Sequence, residues 1–188
     1  VALVDLYDGI EDDKISLETL FREGTSDEYT YIVPENEPDL EKIIADHGGR
    51  REWVGPRVIE ICKEADSVFL GLHGSHGENG QVQAVLDSAG VKYTGCNYLV
   101  CAIAMDKDLS KALIAGAGYR TAKWMTRPYD KITVEKVMEE IGVPCVVKPI
   151  GCGSSCGVSV VKKEEDLQAA LDYAASFKQL ILVEGFIT

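Results

Sequence analysis

The sequence predicts an α/β chain in two parts: a doubly wound parallel-sheet layer over residues 1–104, followed by a smaller α+β unit over 105–188. Three observations carry this. Val68-Phe69-Leu70-Gly71-Leu72 is apolar at consecutive positions, as a parallel strand covered on both faces is. Val82, Val85, Leu86 and Ala89 then fall at i, i+3, i+4 and i+7, a helical stripe that Gly90 would end. Beyond about residue 117, short strand-like runs alternate with helical ones, the rhythm of an α+β unit.

In chain order, residues 1–6 read as a strand, and 40–45 and 56–64 as short helices, the second opening with Pro56 at a first helical position. The strand at 68–72 leads through a polar loop into the helix from Gln81. A helical stretch covers 98–117, with a hinge expected near 102–108. Residues 121–126, 144–149, 158–161 and 180–183 are strand-like, and 134–141 and 164–177 are helical. The last helix carries three acids in its first turn, where the helix dipole favours them. A strand at each end, with no Met at the start, reads as a chain cut from something longer.

The formal charge of -12 repels phosphate backbones and anionic lipid, so neither nucleic acid nor a membrane surface is an expected partner. The longest near-apolar run, 98–105, is too short to span a bilayer, and no secretion signal is visible. Six cysteines spread through apolar or glycine-rich stretches, without paired C-x2-C spacing, suit reduced thiols in a cytoplasmic protein.

Two stretches could carry chemistry. "HGSHGENGQVQ", residues 73–83, follows the end of an apolar strand, where ligands of such sheets bind. It reads as a substrate loop offering an imidazole and a carboxylate, as a turn into the next helix, or less readily as a metal site, since no third histidine or cysteine lies nearby. "KPIGCGSSCGVSVV", residues 148–161, places three glycines between two strands, which excludes a Walker loop. Such a loop can fold over a triphosphate, with backbone N–H groups, Ser154 and Ser155 donating and Lys148 neutralising charge. It reads equally as a plain hairpin tip. Lys107 begins a helix at the expected junction, and Glu184 ends the last strand, where its carboxylate could accept from an adenine amino group.

Together, "VFLGLHGSHGENGQVQ", "YTGCNYLVCAIAMDKDLSK", "PCVVKPIGCGSSCGVSVV" and "LILVEGFI" resemble the D-alanine–D-alanine ligase family of ATP-grasp enzymes, in order and across essentially the whole chain. The resemblance implies a pre-ATP-grasp domain over 1–104 and the small lid subdomain of an ATP-grasp fold over 105–188. It implies that Lys107 and Lys148 meet ATP phosphates, that Gly153, Ser154 and Ser155 close over them, and that Glu184, Gly185, Phe186 and Ile187 hold adenine. Ser154 and Glu78 would share a catalytic hydrogen-bond network, and His73 and Glu78 would face the bound D-alanine.

The implied reaction phosphorylates one D-alanine carboxylate with ATP, and a second D-alanine amine then attacks the acyl phosphate to give the dipeptide of peptidoglycan synthesis. Mg2+ is implied with its ligands outside this chain, so the chain alone is expected to be inactive and to hold no metal. A homodimer is also implied. Asn79 departs from the family's usual Asp. Two alternatives stand beside this: a noncatalytic ATP-binding module, and a ligase with a different second substrate such as D-lactate.

Overall fold

The computed structural model describes residues 1–22, 35–36 and 38–187. The chain divides into two compact units, one of Val1–Val68 with Ala89–Lys92, the other of Phe69–Ser88 with Tyr93–Thr188.

The first unit contains α1 (Leu17–Arg22), α2 (Leu40–Asp46) and α3 (Val58–Glu64). α2 starts where the Asp39 carboxylate accepts from the Lys42 N–H at 3.0 Å, satisfying a donor that the first helical turn leaves open. Val58 and Ile61 bury one face of α3. Tyr7 is clamped by Arg50, whose guanidinium lies 4.6 Å over its ring while the Tyr7 hydroxyl donates to the Arg50 carbonyl at 2.7 Å.

The α/β class holds, but the parallel pairing expected over the first hundred residues is not formed among the described residues, whose sheet lies in the second unit. Residues 1–6 and 68–72 make no strand ladder. Val68 donates a single backbone bond to the Lys92 carbonyl at 2.8 Å, and Val1, Leu3 and Phe69 are exposed. A parallel strand exists only where partner strands flank it and helices cover both faces, and neither condition can be read from an apolar run itself.

The second unit opens with α4 (Ser75–Glu78), α5 (Gln81–Ser88), α6 (Tyr98–Met105) and α7 (Lys107–Gly116). The helical stretch expected over 98–117 is two helices, parted within the hinge expected near 102–108. Asp106, in extended conformation, turns the chain and caps α7 by accepting from the Leu109 N–H at 2.9 Å. Gly80, between α4 and α5, has φ +92°, and a Cβ there would stand 2.3 Å from the Tyr98 carbonyl oxygen, so only glycine allows this approach.

The rest of the unit is built on one antiparallel sheet of β1 (Trp124–Pro128), β2 (Cys145–Pro149), β3 (Ser159–Val161) and β4 (Leu180–Gly185), in the order β1-β4-β2-β3. α8 (Val134–Glu140) and α9 (Leu167–Phe177) complete it, a 3₁₀ turn at Glu164–Asp166 replacing the first turn expected of α9. Alternation sorts the strand residues between two faces. Met125, Cys145, Val147, Ile181 and Val183 join Val137 of α8 and Leu167, Leu171 and Ala174 of α9 in the core. The register Trp124↔Glu184 and Val146↔Glu184 sets Trp124, Thr126, Val146, Lys148, Leu182 and Glu184 on the opposite face.

Candidate functional site

The second face of the sheet is where charge gathers. Lys148 from β2 and Lys111 from α7 each hold one oxygen of the Glu184 carboxylate, Lys111 Nζ at 2.6 Å from Oε2. The three side chains are only 20%, 11% and 16% exposed, so the pairs are largely removed from water. Burial alone would push the Glu184 carboxyl up, but hydrogen bonds from Lys111 and Lys148 outweigh it and hold the carboxyl below its ordinary value.

α7 lies on this face because its side chains bond to it. Asp108 Oδ1 accepts from Trp124 Nε1 at 2.7 Å and from the Thr126 hydroxyl at 2.8 Å, while Lys111 donates to the Thr121 hydroxyl at 2.6 Å and sits 5.1 Å over the Trp124 ring. One turn earlier, Lys107 reaches the loop after β2, its Nζ donating to the carbonyls of Ile150 at 3.2 Å and Cys152 at 2.6 Å. Burial first, then the Lys148 charge, press the Lys107 ammonium below the usual lysine value.

That loop is glycine-rich for reasons of space and conformation. Gly157 has φ +72°, and a Cβ there would lie 2.9 Å from atoms of Phe177 and Pro149. Ser154 and Ser155, with φ of 49° and 58°, occupy the left-handed region that residues with a Cβ seldom adopt, a conformation that turns successive backbone N–H groups to one side.

The loop meets the 73–83 stretch at Glu78. The Glu78 carboxylate lies 3.9 Å from where a Cβ on Gly153 would stand, and its Oε2 accepts from the Gly74 N–H at 2.8 Å. A hydrogen bond between Glu78 and Ser154, as the resemblance implies, is not formed in the structure. His73 is exposed just ahead of α4, and the stretch read as loop or turn contains one helical turn, Ser75–Glu78. Among the described residues no three His, Cys, Asp or Glu side chains gather as a metal would need. A cavity of about 280 Å³ beside this stretch counts Leu70, Leu72, Glu78, Gln83 and Cys101 among its walls.

Lys107, Lys148 and Glu184 therefore share one cluster, Gly153 to Ser155 lie in the loop above β2, and Gly185 to Ile187 continue from β4, where the Gly185 N–H donates to the Lys123 carbonyl at 2.9 Å. His73 and Glu78 belong to the neighbouring α4 segment. Sequence reasoning missed Lys111, Asp108, Trp124 and Thr126. The signal was present for two of them, since Lys111 is four residues after Lys107 and so on the same helical face, and Thr126 is two after Trp124.

An antiparallel sheet with one face in the core and a lysine-bearing face under a second helix is here the fold of the ATP-grasp class, to which the solved structures it matches belong. Within that class the chain belongs to the D-alanine–D-alanine ligase family. Residues 15–96 match the model described as D-ala D-ala ligase N-terminus, and residues 113–188 the one described as D-ala D-ala ligase C-terminus.

A D-alanine–D-alanine ligase of Pediococcus pentosaceus is 39% identical over 190 residues, covering 99% of this chain and 53% of the relative. The D-alanine–D-alanine ligase of Bacillus anthracis complexed with ATP superposes with a TM-score of 0.62 at 32% identity, over 70% of this chain and 44% of that one. The VanG D-Ala:D-Ser ligase of Enterococcus faecalis does so with a TM-score of 0.61 at 32% identity, over 66% and 37%. The chain thus spans about half the length of the curated relatives it matches over its whole extent.

Proposed function

We propose that this chain is the nucleotide side and first-substrate side of an ATP-dependent ligase that joins two D-alanines through an acyl phosphate, for peptidoglycan synthesis. The observation that carries the reading is the convergence of Lys107, Lys148 and Lys111 on one sheet face beside a glycine-serine loop that reaches Glu78. Three ammonium groups gather here in a chain whose overall charge is -12, and such a cluster suits a polyanion bound in a pocket.

The residues divide the work as follows. Lys107 and Lys148 exchange their present partners for phosphate oxygens, and backbone N–H groups of Gly153, Ser154 and Ser155 close over the transferring group. Glu184 to Ile187 hold the adenine. Glu78 and Ser154 orient the D-alanine whose carboxylate oxygen attacks the γ-phosphorus, expelling ADP, and His73 lines that substrate. The amine of the second D-alanine then attacks the acyl carbon, phosphate leaves with the bonding pair, and the amine loses a proton. A lid over the acyl phosphate keeps water from competing with the amine. Mg2+ is the family's expected partner for the phosphates, whose charge it would offset; among the described residues no three His, Cys, Asp or Glu side chains gather to hold it.

The same reading takes 1–104 as the substrate side and 105–188 as the lid subdomain, and takes the protein as cytoplasmic. Six free thiols fit a reducing compartment, and no helix among the described residues is long and apolar enough to cross a membrane. It also takes the protein as a homodimer; exposed Tyr98, Leu99, Val100, Leu113 and Ile114 on α6 and α7 are the kind of surface that a second copy covers.

The test is phosphate release from Mg-ATP with D-alanine alone, or with D-alanine plus D-serine or D-lactate, measured on this chain and on the natural protein that carries it. D-Alanine-dependent release by the natural protein, abolished in Lys148→Ala, is expected, with none from the chain alone. Release that ignores D-alanine, or none with any acceptor, contradicts the proposal.

A further inference from the structure

Lys148 cannot serve a phosphate while it holds Glu184. If it left, a carboxylate only 16% exposed would lose one of its two cations. A buried carboxylate left without a partner is strongly destabilising, and that would oppose the exchange. A second cation stays in place, however. Lys111 holds the other Glu184 oxygen at 2.6 Å and is itself anchored by the Thr121 hydroxyl at 2.6 Å and by the Trp124 ring, which Asp108 fixes through Nε1. These anchors belong to α7, β1 and the turn before it, not to the loop or to β2, so Lys111 has no reason to follow Lys148.

We infer that Lys111 is a positioning residue for the nucleotide site: by neutralising Glu184 alone, it releases Lys148 to take a phosphate. The inference rests on the nucleotide reading above and deepens it. The two lysines divide one carboxylate before the ligand arrives; afterwards Lys111 keeps it whole and Lys148 turns to the anion. No bond is made or broken covalently. α7 then has two tasks at i and i+4, Lys107 on the loop carbonyls and Lys111 on β4.

The groups facing Glu184 are Lys111 from α7 and Lys148 from β2, so without Lys111 a phosphate that captures Lys148 strands Glu184 and forces it to take up a proton. The probe is inorganic tripolyphosphate, which has no adenine to touch Glu184, titrated by calorimetry in two buffers of different ionisation enthalpy, with ATP titrated in parallel. Wild type is expected to bind with little proton uptake. Lys111→Met should bind about tenfold more weakly, taking up close to one proton per ligand, and weaken less as pH falls toward 5. Adding Glu184→Gln to Lys111→Met should restore tripolyphosphate affinity, because nothing then holds Lys148 back.

Unchanged affinity in Lys111→Met, or a loss that Glu184→Gln does not restore and that carries no proton, overturns the inference. Glu184→Gln alone gives a measurement independent of that variant's folding: it should bind tripolyphosphate at least as tightly as wild type, and weaker binding also overturns it. If wild type binds neither tripolyphosphate nor ATP, the nucleotide reading itself falls; if it binds ATP and Lys111→Met behaves as wild type, only the role of Lys111 does.

Discussion

Replacing Gly157 with alanine should damage the fold far more than the same change at Gly151, six residues earlier in the same loop. Gly157 has φ +72°, and a Cβ would stand 2.9 Å from Phe177 Cδ2 and equally close to Cδ and Cγ of Pro149. The left-handed conformation costs about 1–2 kcal/mol once a Cβ is present. Forcing a methyl into occupied space costs about 1–3 kcal/mol, part of which relaxes as the Phe177 ring moves. The sum is about 2–4 kcal/mol. With a urea dependence near 2 kcal/mol per molar, the unfolding midpoint followed by far-ultraviolet circular dichroism should fall by about 1–2 M. Gly151 has open space around it, and alanine there should shift stability by no more than about 0.5 kcal/mol. Equal midpoints for the two variants would refute the claim that Gly157 is glycine for packing and backbone reasons.

Further outcomes follow from the charge cluster and the thiols. The Glu184 carboxyl is held below its ordinary value of 4.5, so its ion pairs stabilise the fold above that pH and lose this contribution as pH falls through the depressed value. Urea midpoints measured from pH 6 down to pH 3 should therefore drop more steeply for wild type than for Glu184→Gln, and parallel curves would contradict this. Cys96 and Cys156 are exposed whereas Cys145 is buried, and burial pushes the Cys145 thiol up. Iodoacetamide at pH 8 should accordingly modify Cys96 and Cys156 well before Cys145, read by peptide mapping. Early modification of Cys145 in the folded protein would place β2 wrongly.

The second unit could be read closely from the sequence because its signals are local. The strands expected at 144–149, 158–161 and 180–183 form as Cys145–Pro149, Ser159–Val161 and Leu180–Gly185, and the helices at 134–141 and 164–177 form with the loss of a residue or a first turn. The strands expected within the first hundred residues could not be read so well, although the helices at 40–45 and 56–64 form as Leu40–Asp46 and Val58–Glu64. A run such as 68–72 announces a buried strand only by being apolar, and pairing with a distant partner is a long-range matter that composition does not encode. At the site, Lys148 and Glu184 drew attention by their places at strand ends. Lys111 did not, because a helical lysine is most often solvated, and its spacing from Lys107 does not by itself show that the half-buried Glu184 lies against it. The break at Asp106 falls within the hinge expected near 102–108, and an aspartate before a helix is a common cap.

The central claim is that the face bearing Lys148 and Glu184, with the loop above it, receives ATP. Amide hydrogen exchange of the chain with and without ATP tests it most directly, since the loop and the segment after β4 have few backbone bonds of their own to protect them. Slowed exchange confined to residues 148–157 and 184–187, and its loss in Lys148→Met, is the predicted result. Protection elsewhere on the chain, or none at saturating ATP, would contradict the claim.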